Sequence, residues 1–277
     1  MALRKFKPTS SGQRERVALV SVARKKINSP QKKLTTGTFC GHVGRSHGRV
    51  STRHRQVGAK KLYRCIDFKR SKKNISAKVV NIEYDPNRGA DIALIVYKDG
   101  EKSYILAPED LKEGSFVVSG SNVEVEVGNC LPLSSIPLGL AVHNVELRPG
   151  AGGKLARGAG VSCYLMAKEG NFALLKMPSS EIRKVPVDCW ATVGVLGNAD
   201  LKNCKLGKAG RSRHLGRRPE VRGTAMHPDS HPHGGGEGRS PVGMPCPKTP
   251  WGKKAYGVRT RRKRNTATKY IISRRVK

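Results

Sequence analysis

From Ala77 to Ala107 the sequence is AKVVNIEYDPNRGADIALIVYKDGEKSYILA. Apolar and polar side chains alternate over short runs rich in β-branched residues, which is typical of strands. Two segments dense in Asp, Asn, Pro and Gly, residues 85–89 and 98–100, interrupt these runs where a chain can reverse direction. The stretch therefore predicts three antiparallel strands, at Ala77–Tyr84, Ala90–Tyr97 and Lys102–Ala107.

The same pattern continues to Leu196, with turn residues at 168–171 and 178–180. It predicts six further strands, at Asn122–Val127, Gly139–Leu147, Gly160–Lys168, Asn171–Met177, Glu181–Pro186 and Trp190–Leu196. An irregular segment from Gly128 to Pro137 splits the strands into two sets, and two small antiparallel barrels fit that count. We therefore predict an all-β fold, with at most one helical turn at 108–112 and a short final strand within 267–275.

Charge divides the chain into three parts. The 277 residues include 54 Lys and Arg against 20 Asp and Glu, a net charge of +34. Residues 1–80 hold 22 basic and 2 acidic residues (+20), residues 81–200 hold 11 and 15 (−4), and residues 201–277 hold 21 and 3 (+18). The nearly neutral middle can fold alone, whereas arms this cationic repel themselves unless a polyanion surrounds them. We expect residues 201–265 to be extended and irregular, and ordered only by contact with phosphate.

Cysteines and apolar runs bear on the location of the protein. Seven cysteines, at positions 40, 65, 130, 163, 189, 204 and 246, are scattered without a Cys-x-x-Cys pair, which is typical of reduced cytosolic thiols. No apolar run approaches the roughly 18 residues that a membrane helix needs. The acid-poor segment Met1–Arg24 superficially resembles an organellar transit peptide but lacks an amphipathic stripe. We expect a cytoplasmic protein that binds no membrane, with an organellar location as the alternative.

The first basic cluster, residues 44–70, alternates cations with glycines and a few aromatics. Glycine lets a backbone approach phosphate closely, arginine binds phosphate through a two-pronged fork, and Tyr63 or Phe68 could stack on an unpaired base. A solvated charged face is the alternative, but +20 over 80 residues favours nucleic acid.

The second basic cluster spans residues 205–222 and leads into the loop His231-Pro-His-Gly-Gly-Gly-Glu-Gly-Arg239. Three consecutive glycines expose backbone N–H groups that can surround phosphates or enter between RNA helices. Trp251 is a large aromatic in an arm with few apolar residues, and it could stack on a base or attach the arm to a barrel.

Three other kinds of site are weaker interpretations. His227, His231, His233 and Cys246 include zinc-ligand types, but a structural zinc site normally has paired ligands at each end. Asp229, Ser230 and His231 include the residue types of a hydrolytic triad, yet they are neighbours on one flexible loop without an apolar pocket. The loop at 148–155 lacks the spacing of a phosphate-binding Gly-x4-Gly-Lys motif. We therefore predict neither metal ligands nor catalytic residues.

Several ordered motifs resemble the L-two family, the universal second protein of the large ribosomal subunit. They cover nearly the whole chain, and the most specific is Val221-Arg-Gly-Thr-Ala-Met226, which leads into the loop 231–239 and ends at Thr249-Pro-Trp-Gly252. Others are Lys5–Thr9, Tyr63-Arg64, Asp67–Arg70, Val142–Leu147, Gly152–Arg157, Gly207–Arg211 and Leu215–Pro219. His214, His227 and Cys246 depart from the family's pattern, so the resemblance implies the fold but no particular contacts at those three positions.

The resemblance implies an OB-like barrel followed by an SH3-like barrel, with both arms threaded into large-subunit ribosomal RNA. It implies a place near the peptidyl-transferase centre and the subunit interface, with roles in subunit association and transfer-RNA binding. The loop with His231 would reach toward that centre, where the reaction is carried out by RNA, so His231 is expected to be an RNA ligand. The length and N-terminus resemble bacterial or organellar members.

These observations together predict a structural ribosomal protein rather than a nucleic-acid-packaging protein, which would be repetitive, or an RNA-processing enzyme, which would need an acid–base pocket. We predict four segments: a basic extension at 1–60, the OB-like barrel at 61–127, the SH3-like barrel at 128–200 and a basic Gly/Pro-rich extension at 201–277. Expected partners are ribosomal RNA, other ribosomal proteins, the small subunit and, indirectly, transfer RNA. We expect no small-molecule substrate and no cofactor, apart from Mg²⁺ associated with the RNA. The predicted RNA contacts are Arg45, Arg49, Arg53, His54, Arg55, Lys60, Lys61, Arg64, Lys69, Arg70, Lys154, Arg157, Lys208, Arg211, Arg213, Arg217, Arg218, Arg222, His231, His233, Arg239, Trp251 and Lys253.

Overall fold

The computed structural model describes residues 2–20, 23, 29–37 and 43–275. Cys40 lies outside this part, and the other six cysteines are free thiols. Among the described residues, no helix is both long and apolar enough to cross a membrane. Nineteen strands are described: β1 Ala2–Lys5, β2 Val17–Val20, β3 Thr35–Gly37, β4 Arg45–Ser46, β5 Arg49–Val50, β6 Leu62–Arg64, β7 Ala77–Glu83, β8 Ile92–Tyr97, β9 Lys102–Leu106, β10 Phe116–Val117, β11 Cys130–Pro132, β12 Ala141–His143, β13 Val145–Glu146, β14 Gly153–Leu155, β15 Cys163–Glu169, β16 Phe172–Lys176, β17 Ile182–Pro186, β18 Trp190–Val193 and β19 Ile271–Ser273.

The chain forms two compact units. The first contains the described residues of 1–39, 60–211 and 267–277, and the second those of 40–59 and 212–266. Each unit is therefore assembled from segments far apart in sequence. The division into four consecutive segments stays a prediction.

The first sheet of the first unit has the order β10-β7-β8-β9, and all its pairs are antiparallel. Its register joins Ala77 to Tyr97 and Ile92 to Leu106, with a bulge between Val79 and Asn81. Buried apolar side chains from alternate positions form its core, among them Val79, Ile95, Ile105, Leu111 and Val117. The strands β7, β8 and β9 confirm the three that the sequence predicts for this region.

The second sheet is a seven-stranded half-barrel with the order β11-β18-β12-β15-β16-β17-β19. Its core is made of fully or nearly fully buried side chains, including Leu131, Val142, Leu165, Leu175 and Val185. Strand β19 comes from the end of the chain and pairs with β17, which confirms the predicted final strand. The all-β prediction is confirmed, and the two sheets are consistent with an OB-like and an SH3-like barrel.

Two strand predictions need correction. Residues 122–127 form no strand, because the side chain of Asn129 bonds to Val118 N at 2.8 Å and to Glu124 O at 3.0 Å and holds this segment in a loop. The predicted strand Gly139–Leu147 is broken at Asn144, whose φ of 50° takes the backbone out of the extended region. The residues 108–112 make a turn rather than a helix, with Leu111 N bonded to Pro108 O.

Short elements in the basic arms also differ from the prediction. A hairpin, β1–β2, occupies the start of the chain, and β3 pairs with β6. The described elements include two short α-helices, α1 at Ser11–Arg14 and α2 at Ala209–His214, and 3-10 turns at Lys32–Leu34, Ala199–Asn203, Gly223–Ala225 and Thr266–Tyr270. The rest of 201–265 is irregular, as expected, but residues 212–265 belong to the compact second unit and are therefore not extended.

Candidate nucleic-acid interface

A cavity of about 520 Å³ in the first unit is lined by an aromatic ring, glycines and cations. Phe68 forms its aromatic wall, and the guanidinium carbon of Arg157 lies 4.3 Å from the centre of that ring. Lys69 and Lys154 line the same cavity and are exposed. A ring flanked by cations can stack on a base and bind the adjoining phosphate.

A buried carboxylate shapes the glycine loop that carries Lys154. Glu146 is 2 % exposed and accepts hydrogen bonds from the backbone N–H groups of Gly152 at 2.8 Å, Gly150 at 3.1 Å and Trp190 at 3.2 Å. Gly152 has a φ of 78°, which disfavours any other residue there. The loop is thus fixed by one side chain before any RNA is bound.

The same loop is joined to the aromatic wall through backbone contacts. Gly153 N donates to Phe68 O at 2.9 Å, and the side-chain amide of Asn144 donates to the same oxygen at 3.3 Å. A Cβ at Gly153 would collide with the side-chain and backbone oxygens of Asn144. Close backbone approach therefore explains the consecutive glycines at this point.

Arg88 belongs to this surface, although the sequence analysis placed it only in a turn. Its guanidinium carbon lies 5.8 Å from the ring centres of both Tyr63 and Phe68. Its Nε is 2.6 Å from a carboxylate oxygen of Asp85, which is fully buried and fixes the direction of the arginine. The only signal in the sequence is a cation inside a rigid Asp-Pro-Asn-Arg-Gly turn, which predicts the turn and not the neighbours of its arginine.

Burial separates Arg70 from the predicted contacts. It is 3 % exposed, its guanidinium donates to Gly128 O at 3.3 Å, and its backbone N–H donates to Asp67 at 2.8 Å. The expectation that Arg70 faces RNA is contradicted by this burial. Its buried guanidinium bonds to the protein backbone at Gly128 and is not accessible to a phosphate.

Most other predicted contacts are accessible. His54, Lys61, Arg64, Arg211, Arg213 and His233 are half-buried. The exposed set is Arg45, Arg49, Arg53, Arg55, Lys60, Lys69, Lys154, Arg157, Lys208, Arg217, Arg218, Arg222, Arg239, Trp251 and Lys253.

A second cavity, of about 280 Å³, lies within the second unit. It brings together Arg53, His54, Arg222 and His231 from segments far apart in sequence. Nearby, Trp251 is 76 % exposed, and the guanidinium carbon of Arg53 lies 5.6 Å from its ring centre. Such exposure favours stacking on a base over the alternative that Trp251 attaches the arm to a barrel.

The two loop histidines are held by backbone donors. His233 N donates to Nδ1 of His231 at 3.0 Å, and Lys248 N donates to Nε2 of His233 at 2.8 Å. Burial lowers the pKa of His231, and His233 and Arg53 lower it further. His231 is only 7 % exposed, so it is a wall of the cavity rather than a freely reaching ligand.

The described residues contain no group of three or more His, Cys, Asp or Glu side chains arranged to hold a metal ion. Nδ1 of His227 lies 3.1 Å from a carboxylate oxygen of Asp229, and both side chains are largely exposed. An exposed pair of this kind lacks the enclosed setting that a general base needs.

Two β-barrel sheets carrying an aromatic, cation-rich surface define an RNA-binding protein built on a β scaffold. Comparison with protein families identifies the family to which this chain belongs. Residues 31–119 match the family described as Ribosomal Proteins L2, RNA binding N-terminal domain, and residues 126–252 match Ribosomal Proteins L2, C-terminal domain. The chain therefore belongs to the L-two family of ribosomal proteins and is an RNA-binding structural protein of the large ribosomal subunit.

Proposed function

We propose that the chain binds ribosomal RNA near the peptidyl-transferase centre and supports subunit association, transfer-RNA binding and peptide-bond formation by the RNA. The observation that carries this proposal is the pair of cation-lined cavities, one in each unit, with Phe68 and the exposed Trp251 beside them. Aromatic and cationic groups together recognise unpaired RNA, which is common where an RNA forms a functional centre.

His231 acts in this proposal through shape and hydrogen bonding. Its Nδ1 is engaged by a backbone N–H and its pKa is lowered by burial, so it is poorly placed to take a proton from a substrate. In this proposal the RNA itself carries out peptide-bond formation. Mg²⁺ ions associated with that RNA, rather than protein-bound metal, would screen phosphates beside the cationic arms.

The expected partners are large-subunit ribosomal RNA, neighbouring ribosomal proteins, the small subunit and, indirectly, transfer RNA. We place the protein on cytoplasmic ribosomes. The mitochondrial or plastid ribosome is the competing location, and fractionation of cells followed by detection of the chain in each ribosome pool decides between them.

Crosslinking of purified large subunits tests the proposed position. Ultraviolet crosslinks from peptides within 223–239 should map to nucleotides of the peptidyl-transferase region, while peptides within 68–70 and 152–157 map to other segments of the same RNA. Crosslinks from 223–239 that fall only on RNA remote from that centre would refute the position and leave the RNA-binding role intact.

A further inference from the structure

The cavity in the second unit is lined by apolar residues and by polar ones, and the polar lining residues Arg53, Glu220, Arg222 and His231 are together called its rim. Val221, Met226 and Pro250 line it together with charged groups. Its volume of about 280 Å³ is close to the lower end of the range of roughly 300–1,000 Å³ that small-molecule sites occupy. A space of this size and mixed character suits one planar heterocycle.

The rim offers hydrogen-bond donors. Because a backbone N–H donates to Nδ1 of His231, the neutral ring carries its proton on Nε2. No acceptor for Nε2 is present among the described residues, and Gly223 packs so closely against this ring that a Cβ there would collide with it. Arg53 and Arg222 add guanidinium donors to the same rim.

The rim also holds an acceptor. Glu220 lines the cavity beside these donors. A carboxylate would repel a phosphate, whereas it can accept a hydrogen bond from an exocyclic amino group. Donors, one acceptor and apolar lining residues together match the edge of a base, which presents acceptor atoms and an N–H donor, and its two apolar faces.

We propose that this cavity is a receptor for a single unpaired base of the ribosomal RNA. The inference rests on the proposed function and deepens it. The base lies against Val221, Met226 and Pro250 and meets Nε2–H of His231 and the arginines through its acceptor atoms. The exposed ring of Trp251, near Arg53, is available to stack on an adjacent nucleotide.

Photocrosslinking from Met226 tests the receptor directly. Large subunits are prepared from cells fed a diazirine analogue of methionine. Because the chain has five methionines, Met226→Leu is the matched control, which removes only the probe in the cavity. Illumination should join the peptide around Met226 to one nucleotide, with the new bond on its base, and this product should disappear in Met226→Leu while other crosslinks persist.

Two arginine variants separate the cavity from general charge. Arg222→Ala should lower the yield of the Met226 crosslink at least five-fold, whereas Arg259→Ala, an exposed cation that does not line the cavity, should leave it unchanged. The proposal is overturned by crosslinks confined to ribose or phosphate, or by no crosslink in subunits that contain the protein. Failure of the proposed function would look different, since the protein would then be missing from large subunits.

Discussion

Glu146 is a buried acid in a chain of net charge +34, and its carboxylate accepts three backbone N–H groups. Glu146→Gln turns one acceptor into a donor that faces those N–H groups. We expect the free energy of unfolding to fall by about 1–3 kcal/mol, because buried donors lose their partner. RNA affinity should fall as well, since the loop carrying Lys154 loses its anchor.

Thermal or denaturant unfolding of the full chain measures the first effect, and binding to a large-subunit RNA fragment measures the second. Glu126→Gln is the matched control, because Glu126 is exposed and its replacement should change stability by less than about 0.5 kcal/mol. Equal stability of the two variants would show that the carboxylate does not hold the loop.

His143 gives the second prediction at this scale. Its ring is fully buried, Nδ1 donates to Gly194 O at 2.9 Å, and burial lowers its pKa to about 4. A lowered pKa in the folded state means that the unfolded chain binds the proton first as the pH falls below about 6.5, so stability is present above that pH and is lost on acidification.

Between pH 7 and pH 5 this loss should be about 2 kcal/mol for the one group. His143→Asn keeps an N–H donor but cannot titrate, so its stability should depend less on pH by that amount. Denaturant unfolding at the two pH values measures the difference between the chains. Parallel pH profiles for both would contradict the assignment of His143 as a buried neutral imidazole.

At the scale of elements, the β13–β14 pair depends on a glycine. A Cβ at Gly153 would collide with two oxygens of Asn144, whereas one at Gly158 would lie 3.5 Å from the nearest atom of Val161. We expect Gly153→Ala to lower stability by about 1–3 kcal/mol, because the crowded backbone must shift, and Gly158→Ala to have little effect. The unfolding midpoints of the two variants test this prediction. Equal midpoints would mean that the backbone at residue 153 shifts without a loss of stability.

The strands of the two main sheets were predictable because the signals for each hairpin lie within its own short segment of sequence. These signals are apolar residues at every second position and a turn rich in Gly, Asn or Asp. Strands β3 and β6 were not, since each is three residues long and is defined by a partner far away in sequence. Residues 122–127 show the opposite failure: their alternation fits a strand, but the side chain of Asn129 bonds to their backbone instead.

The residues of the candidate site also fall into two groups, those that the sequence predicts and those that it does not. Exposed cations such as Arg157 and Arg222 were predictable because charge and glycine content are properties of composition. The burial of Arg70, the place of Arg88 between two rings and the anchoring role of Glu146 were not, because each depends on neighbours brought together by folding.

For the whole molecule, charge is the controlling quantity. The segment 81–200 carries −4 and contains most of the cores of both sheets, while the remaining residues carry +38. Binding to RNA should therefore release many counterions. Each phosphate contact makes the slope of log K against log [salt] more negative by about 0.7–0.9.

The most direct test of an RNA-binding protein of this kind is the slope of log K against log [KCl] for the full chain and a large-subunit ribosomal RNA fragment. About ten phosphate contacts would give a slope near −8, and we expect a slope at least as steep as about −5. A slope shallower than about −2, with affinity retained at high salt, would contradict the account.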